Sequence, residues 1–144
     1  MDKINKKQLL HNLKHDIYCR IGISKIHGVG VIAVKDIPKG TNPFKISGHK
    51  CVEYNAIDIS KEDVDKLDSN VKQLINDFIA PNDNGSYNIP AYGLNHLDIS
   101  FYMNETTNPN VDIIDSGECE FVEFRANKNI KVGEELTINY EHFK

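Results

Sequence analysis

Gly133-Glu134-Glu135-Leu136-Thr137-Ile138-Asn139-Tyr140 closes on a tyrosine near the end of this 144-residue sequence. Lys131-Val132-Gly133 reads as a turn, and residues 135–140 read as a short strand. Adjacent residues on a strand point to opposite faces, so Glu134 and Glu135 cannot share a substrate. They are expected to be solvated or ion-paired rather than a catalytic dyad. Alone, the stretch is a turn and an edge strand whose tyrosine is more often structural than chemical.

Two upstream stretches change its weight. Asn104-Glu105-Thr106-Thr107-Asn108-Pro109-Asn110 offers amide donors and acceptors. Its proline fixes φ and pushes Asn108 toward extended geometry. Further upstream, Gly28-Val29-Gly30 precedes an apolar strand. Paired glycines permit positive φ and close backbone approach. This is no dinucleotide fingerprint, because a strand rather than a helix follows, and it lacks the lysine of a phosphate loop. Each of the three stretches alone is most simply a turn.

In this order the three resemble the signature of the SET domain family of lysine methyltransferases. The family pattern Asn-His-Ser-Cys-x-Pro-Asn is met by Asn104, Pro109 and Asn110. Asn95-His96 has no Pro-Asn at the right distance. His27-Gly28-Val29-Gly30-Val31-Ile32-Ala33, followed by Asp36-Ile37-Pro38-Lys39-Gly40-Thr41, looks like the opening of such a domain. Phe124-Arg125-Ala126-Asn127-Lys128-Asn129-Ile130, followed by Gly133-Glu134-Glu135-Leu136, looks like its close. The resemblance spans about residues 17–140, and is similar in economy to the minimal SET proteins of large DNA viruses and some bacteria.

The resemblance implies a β-clip fold, mostly β with a helical insert, whose C-terminal strand passes beneath a loop in a pseudoknot and brings Tyr140 beside Asn104. It implies transfer of a methyl group from S-adenosylmethionine to the ε-amine of a lysine on a histone or other basic protein. His27, Gly28, Val29 and Gly30 would flank the methionine end of that cofactor. Asn104 and Glu105 would hold its amine and adenine, and Tyr140 would contact it and orient the nucleophile as the catalytic hydroxyl. Tyr92, Tyr102 and Phe143 are the candidates to line the lysine channel. No metal is implied.

The sequence departs from the family pattern at several places. Glu105 stands where the family has the histidine that helps fasten the pseudoknot; Thr106 and Thr107 replace serine and cysteine. Ile46-Ser47-Gly48 occupies the place of a Tyr-x-Gly. No cysteine-rich segment follows Tyr140, so no zinc is expected to close the channel. The departures at Glu105 and Ile46 favour an alternative, a SET-fold binding module that takes cofactor or a lysine-containing peptide without turnover. A third reading is a related β-clip domain with no cofactor.

Composition sets the outer bounds. The chain is 40% apolar and 26% charged, ordinary globular values that fit one domain. Residues 1–16 read as a helical extension and 17–144 as the domain, with the insert at about 60–80. The net charge of −4 argues against direct nucleic-acid binding and suits a lysine-rich protein or peptide partner. Cys19, Cys51 and Cys119 are odd in number and lack metal spacing, so they read as reduced. No apolar run reaches membrane-spanning length, and the polar, lysine-rich start does not read as a signal peptide. The expected location is intracellular, cytoplasm or nucleus. A homodimer is admitted, though no dimer motif is visible.

Periodicity supplies the elements. Ile4, Leu9, Leu10 and Leu13 suggest a short amphipathic helix. Strands are expected at 17–23 and 29–34 around a turn at 24–28, with weaker ones at 43–47 and 50–54. Val64, Leu67, Val71, Leu74, Ile75 and Phe78 mark one helix over 61–79, capped by Ser60, its stripe packed in the core. Strands follow at 87–89, 99–103, 111–114, 120–125 and 135–140, with a hairpin turn at 115–118.

Overall fold

A computed structural model describes residues 3–47, 56–114 and 123–143, with the side chains of 142 and 143 excepted. In chain order the elements are α1 (Lys6–His15), β1 (Cys19–Ile23), β2 (Val29–Ala33), β3 (Ala56–Ile59), α2 (Lys61–Asp65), α3 (Ser69–Phe78), β4 (Tyr87–Pro90), β5 (Asn104–Glu105), β6 (Val111–Ile114), β7 (Glu123–Ala126) and β8 (Glu135–Ile138). Short 3₁₀ turns lie at Leu94–His96, Ile99–Tyr102 and Tyr140–Phe143. The chain forms two compact units: Met1–Val52 with Tyr102–Lys144, and Glu53–Phe101.

The first unit is organised by β8. Its four-stranded sheet runs β1-β2-β8-β5. β1 and β2 form an antiparallel hairpin from Cys19 opposite Ala33 to Ile23 opposite Val29. β8 lies antiparallel to β2, with Val31 opposite Leu136, and parallel to β5, with Asn104 opposite Thr137. The last strand therefore stands between the glycine pair and the asparagine stretch. β6 and β7 form a second antiparallel pair, and a bridge joins Ile37 to Ile130. Val31, Ile37, Met103, Val111, Ile130, Leu136 and Ile138 are buried. Each such side chain contributes about 1.5–3 kcal/mol on leaving water. The parallel β5–β8 pair is only two residues long, and two further bonds reinforce it. Thr106 N donates to Ile138 O at 2.9 Å, and Asn110 Nδ2 donates to Glu135 O at 2.9 Å.

Helix α1 starts with a capping box: Asn5 Oδ1 accepts from Gln8 N, and Gln8 Oε1 accepts from Asn5 N, both at 2.9 Å. The expected amphipathic helix is present, but its buried position is a polar one. Asn12 is buried and donates through Nδ2 to Lys45 O at 3.0 Å, while Ile4, Leu9, Leu10 and Leu13 stay exposed. Cys19 is a buried free thiol. Cys51 and Cys119 lie outside the described residues.

In the second unit the β3–β4 antiparallel pair packs with Val64, Ile75, Ile79 and Tyr87. The single helix expected over 61–79 is two. Ser60 caps α2 as expected, its side chain accepting from Asp63 N. The helix then closes at Lys66, whose N–H returns to Asp63 and Val64, and Asp68 is extended (φ −52°, ψ 139°) before α3 begins. Asp68-Ser69-Asn70 marks the break, three residues of poor helix-interior propensity, although the Asp68 side chain makes no cap bond. The break divides the apolar stripe. Val64 and Ile75 are buried, whereas Leu67, Val71 and Leu74 are exposed.

Three more expectations are corrected. Residues 99–103 are not a strand: Asp98 Oδ1 accepts from Ser100 N at 2.9 Å, an Asx turn that starts the 3₁₀ turn Ile99–Tyr102. No strand forms at 43–47, where Asn42 Oδ1 accepts from Phe44 N at 2.9 Å and holds a turn. The last strand ends at Ile138, and Tyr140 opens the terminal 3₁₀ turn. The strands β3 and β5 were not expected. The expected strand at 50–54, the turn at 115–118 and residues 120–122 of the next strand lie outside the described residues.

Candidate functional site

The site begins at the turn after β1. Ser24 Oγ accepts from Ile26 N at 2.9 Å and from His27 N at 3.1 Å, and Ser24 N donates to Gly28 O at 2.9 Å. Closing this loop puts Gly28 at φ 53°, a conformation that favours glycine. Gly30 is glycine for a different reason. A Cβ there would lie 2.5 Å from Glu135 Oε2 and 3.1 Å from Asn104 Nδ2. The carboxylate therefore rests against bare backbone.

Glu135 is held in place by its neighbours. Ser24 Oγ donates toward its two oxygens, at 2.7 and 2.9 Å, and Asn104 Nδ2 donates to Oε2 at 2.9 Å. The same Asn104 nitrogen lies 3.0 Å from Ser24 Oγ, 3.2 Å from His27 O and 3.0 Å from Val29 O. Four oxygens thus converge on the Asn104 amide nitrogen at one half-buried spot. Further along the asparagine stretch, Asn110 Oδ1 accepts from Thr137 N at 2.9 Å. Asn127 Nδ2 donates to Pro109 O at 2.9 Å, so the end of the asparagine stretch is pinned.

Tyr140 completes the cluster. Its hydroxyl donates to Met103 O at 2.7 Å, and its backbone N donates to Glu105 Oε2 at 2.9 Å. Burial of the ring, and secondly the Glu105 carboxylate, push the phenol pKa above its ordinary value. At neutral pH Tyr140 is a phenol whose hydrogen is engaged and whose lone pairs remain able to accept.

The structure thus brings Gly30, Asn104, Glu105 and Tyr140 together around β8, with the His27 and Val29 carbonyls. The His27 side chain contributes no bond among those described. Tyr92 belongs to the Glu53–Phe101 unit, is 79% exposed and lies against His96 with the two rings tilted and their centroids 5.3 Å apart. Tyr102 is half-buried on the 3₁₀ turn Ile99–Tyr102. The Phe143 side chain lies outside the described residues. Ser24 and Glu135 are the residues that sequence reading missed as site residues. The Ser24–Glu135 contact joins positions 111 apart, for which one sequence carries no local signal. The expected alternation of Glu134 and Glu135 did imply that only one could face this cluster.

The family model of the SET domain matches residues 28–141. The chain belongs to the SET domain family. Its small sheets, few helices and helical insert are the SET fold. No curated protein sequence matches it. Among solved structures it is similar to a Plasmodium falciparum "putative histone methyltransferase", at 21% identity over 88% of this chain and 95% of that one, with a TM-score of 0.51. At that identity the likeness speaks to the fold. Within this SET domain, the residue most out of pattern, Glu105, supplies the acceptor that receives the Tyr140 amide.

Proposed function

We propose that this SET domain is a protein-lysine N-methyltransferase that uses S-adenosylmethionine. The observation that carries the reading is the tie of Tyr140 Oη to the carbonyl of Met103. It holds the phenol one residue from Asn104, whose amide stands over the glycine pair. The residues fit the cofactor. A cationic amino-acid end would meet oxygen acceptors at Asn104 and the His27 carbonyl, beside a loop that glycines keep open. When bound, S-adenosylmethionine supplies a methyl group already made electrophilic by its sulfonium.

The protein's own part is then orientation and exclusion of water. The target lysine, with an ordinary pKa near 10.4, must lose its proton, and burial beside positive charge lowers that pKa so that water can take it. Tyr140 Oη accepts from the neutral amine and orients its lone pair; with its pKa raised, the phenol acts as a hydrogen-bonding group and not as a base. The pseudoknot belongs to this reading and is supported by the parallel β5–β8 pair and the Asn110 bonds to β8. Tyr92, Tyr102 and Phe143 remain the proposed channel residues.

The proposed partner is a lysine-bearing protein or peptide, a histone among them. The proposed location is intracellular, in cytoplasm or nucleus. No direct contact with nucleic acid or membrane is part of the reading, and a homodimer is compatible with it. The test is transfer from labelled S-adenosylmethionine to histones and lysate proteins, beside Tyr140→Phe. Label transfer that the variant loses is the expected result. Cofactor binding by calorimetry without transfer to any protein would instead support the binding module, and neither binding nor transfer would sink both.

A further inference from the structure

The Asn104 amide nitrogen carries two hydrogens, yet four oxygens stand within 3.2 Å of it: Ser24 Oγ, His27 O, Val29 O and Glu135 Oε2. None of them offers a hydrogen in return. Two are backbone carbonyls and one is a carboxylate. The single hydrogen of Ser24 is drawn to Glu135, at 2.7 and 2.9 Å from its two oxygens. An amide turned over at this position would set Oδ1 against these oxygens. Its orientation is therefore dictated by its surroundings. Among the described residues no donor is bonded to Asn104 Oδ1, so that oxygen is presented as an open acceptor.

Glu135 is the member of this set that side-chain chemistry can change. The carbonyls belong to the backbone, and Ser24 is itself oriented by the carboxylate. We propose that Glu135 is a positioning residue. Seated on Ser24, it fixes the turn of the Asn104 amide so that Oδ1 faces outward as the acceptor for the α-ammonium of the cofactor. The inference rests on the S-adenosylmethionine reading, and Glu135 itself does not touch the cofactor. It also gives a chemical reason for Gly30, since any side chain there would displace the carboxylate.

Glu135→Gln tests this. Glutamine has nearly the same shape but can donate as well as accept. It removes the charged oxygen that holds the Asn104 amide in its turn and frees the Ser24 hydrogen, leaving only the His27 and Val29 carbonyls to hold it. Losing one hydrogen bond to a charged group corresponds to roughly tenfold to hundredfold in affinity. Calorimetry should show S-adenosylhomocysteine binding the variant at least tenfold more weakly. An analogue of that ligand lacking only the α-amine should bind both proteins within twofold of each other. In turnover, the effect should fall on KM for the cofactor rather than on kcat. Equal weakening of both ligands would overturn the proposal and leave Glu135 a structural residue. If the wild-type protein bound neither ligand, the cofactor reading would fail separately. The Asn104 side-chain ¹⁵N–¹H resonances would still decide the role of Glu135: they should shift markedly in Glu135→Gln, and unchanged resonances would refute it.

Discussion

Gly30→Ala isolates the contact on which the site is built. The new methyl would lie 2.5 Å from Glu135 Oε2 and 2.9 Å from its Cδ. An ordinary contact of about 3.5 Å therefore needs a shift of roughly 1 Å. The backbone cannot supply it easily, because Val31 and Leu136 beside this contact are paired and fully buried. The carboxylate must move instead, and it is held by Ser24 Oγ at 2.7 Å and Asn104 Nδ2 at 2.9 Å. Overpacking costs about 1–3 kcal/mol, and weakening charge-assisted hydrogen bonds at a half-buried site adds about 1–2 kcal/mol. Removing a glycine from a strand returns about 0.5–1 kcal/mol, since Gly30 is not at positive φ. The net expectation is a loss of about 1–4 kcal/mol, read as a lower urea midpoint at constant m. In a Glu135→Ala background the same substitution should cost at least about 1 kcal/mol less. A cost below about 0.5 kcal/mol, or equal costs in the two backgrounds, would refute the reasoning.

Tyr140→Phe removes the bond to Met103 O and should lower stability by about 1 kcal/mol by urea unfolding. Because the Tyr140 pKa is raised in the folded protein, its contribution is fully present below the unfolded value near 10 and is lost as pH rises through the folded value. Wild-type stability should fall more steeply than that of Tyr140→Phe in this range. Burial pushes the Cys19 thiol up to about 11. At pH 8 about 0.1% is thiolate, so a thiol reagent should label Cys19 only after unfolding, as peptide mapping would show. On α3, Ile75→Ala should cost about 2–4 kcal/mol, while Leu74→Lys should change stability by less than about 0.5 kcal/mol. Equal costs at these two positions would place the register wrongly.

Strands and helices were legible where one local rule dominated. β1 and β2 follow from apolar runs around a turn, and Ser60 caps α2 as its hydroxyl predicts. Two of the failures share a cause: a short polar side chain captured the backbone against the wider pattern. Asp98 did so before Ile99 and Asn42 before Phe44, whereas Asp68, an extended residue without a side-chain cap bond, interrupts a helix whose apolar period continues across the break. Burial was less legible still. The stripe of 64–78 was read as core throughout, yet only the tertiary arrangement decides that Ile75 is covered and Leu74 is not. In α1 the pattern pointed to the leucines, whereas the buried contact is Asn12 on Lys45 O. At the site, the glycine pair, Asn104 and Tyr140 were visible as types in order. Ser24 and Glu135 were not, because their meaning comes from a pairing across almost the whole chain.

Glu105 shows why a broken pattern need not mean a broken site. The position lies on β5, parallel to β8, and its side chain provides an acceptor for the backbone N–H of Tyr140. An imidazole can do this, and so can a carboxylate, which reaches that N–H at 2.9 Å. The exchange is not neutral in charge. A carboxylate beside the phenol opposes its ionisation, adding to the effect of burial. A general base would be served by the reverse arrangement, a cation that lowers the phenol pKa. The Glu105 substitution therefore keeps the fastening of Tyr140 and biases its hydroxyl further toward the neutral, hydrogen-bonding role. The proposed alignment of an amine with an already electrophilic methyl group would use that role.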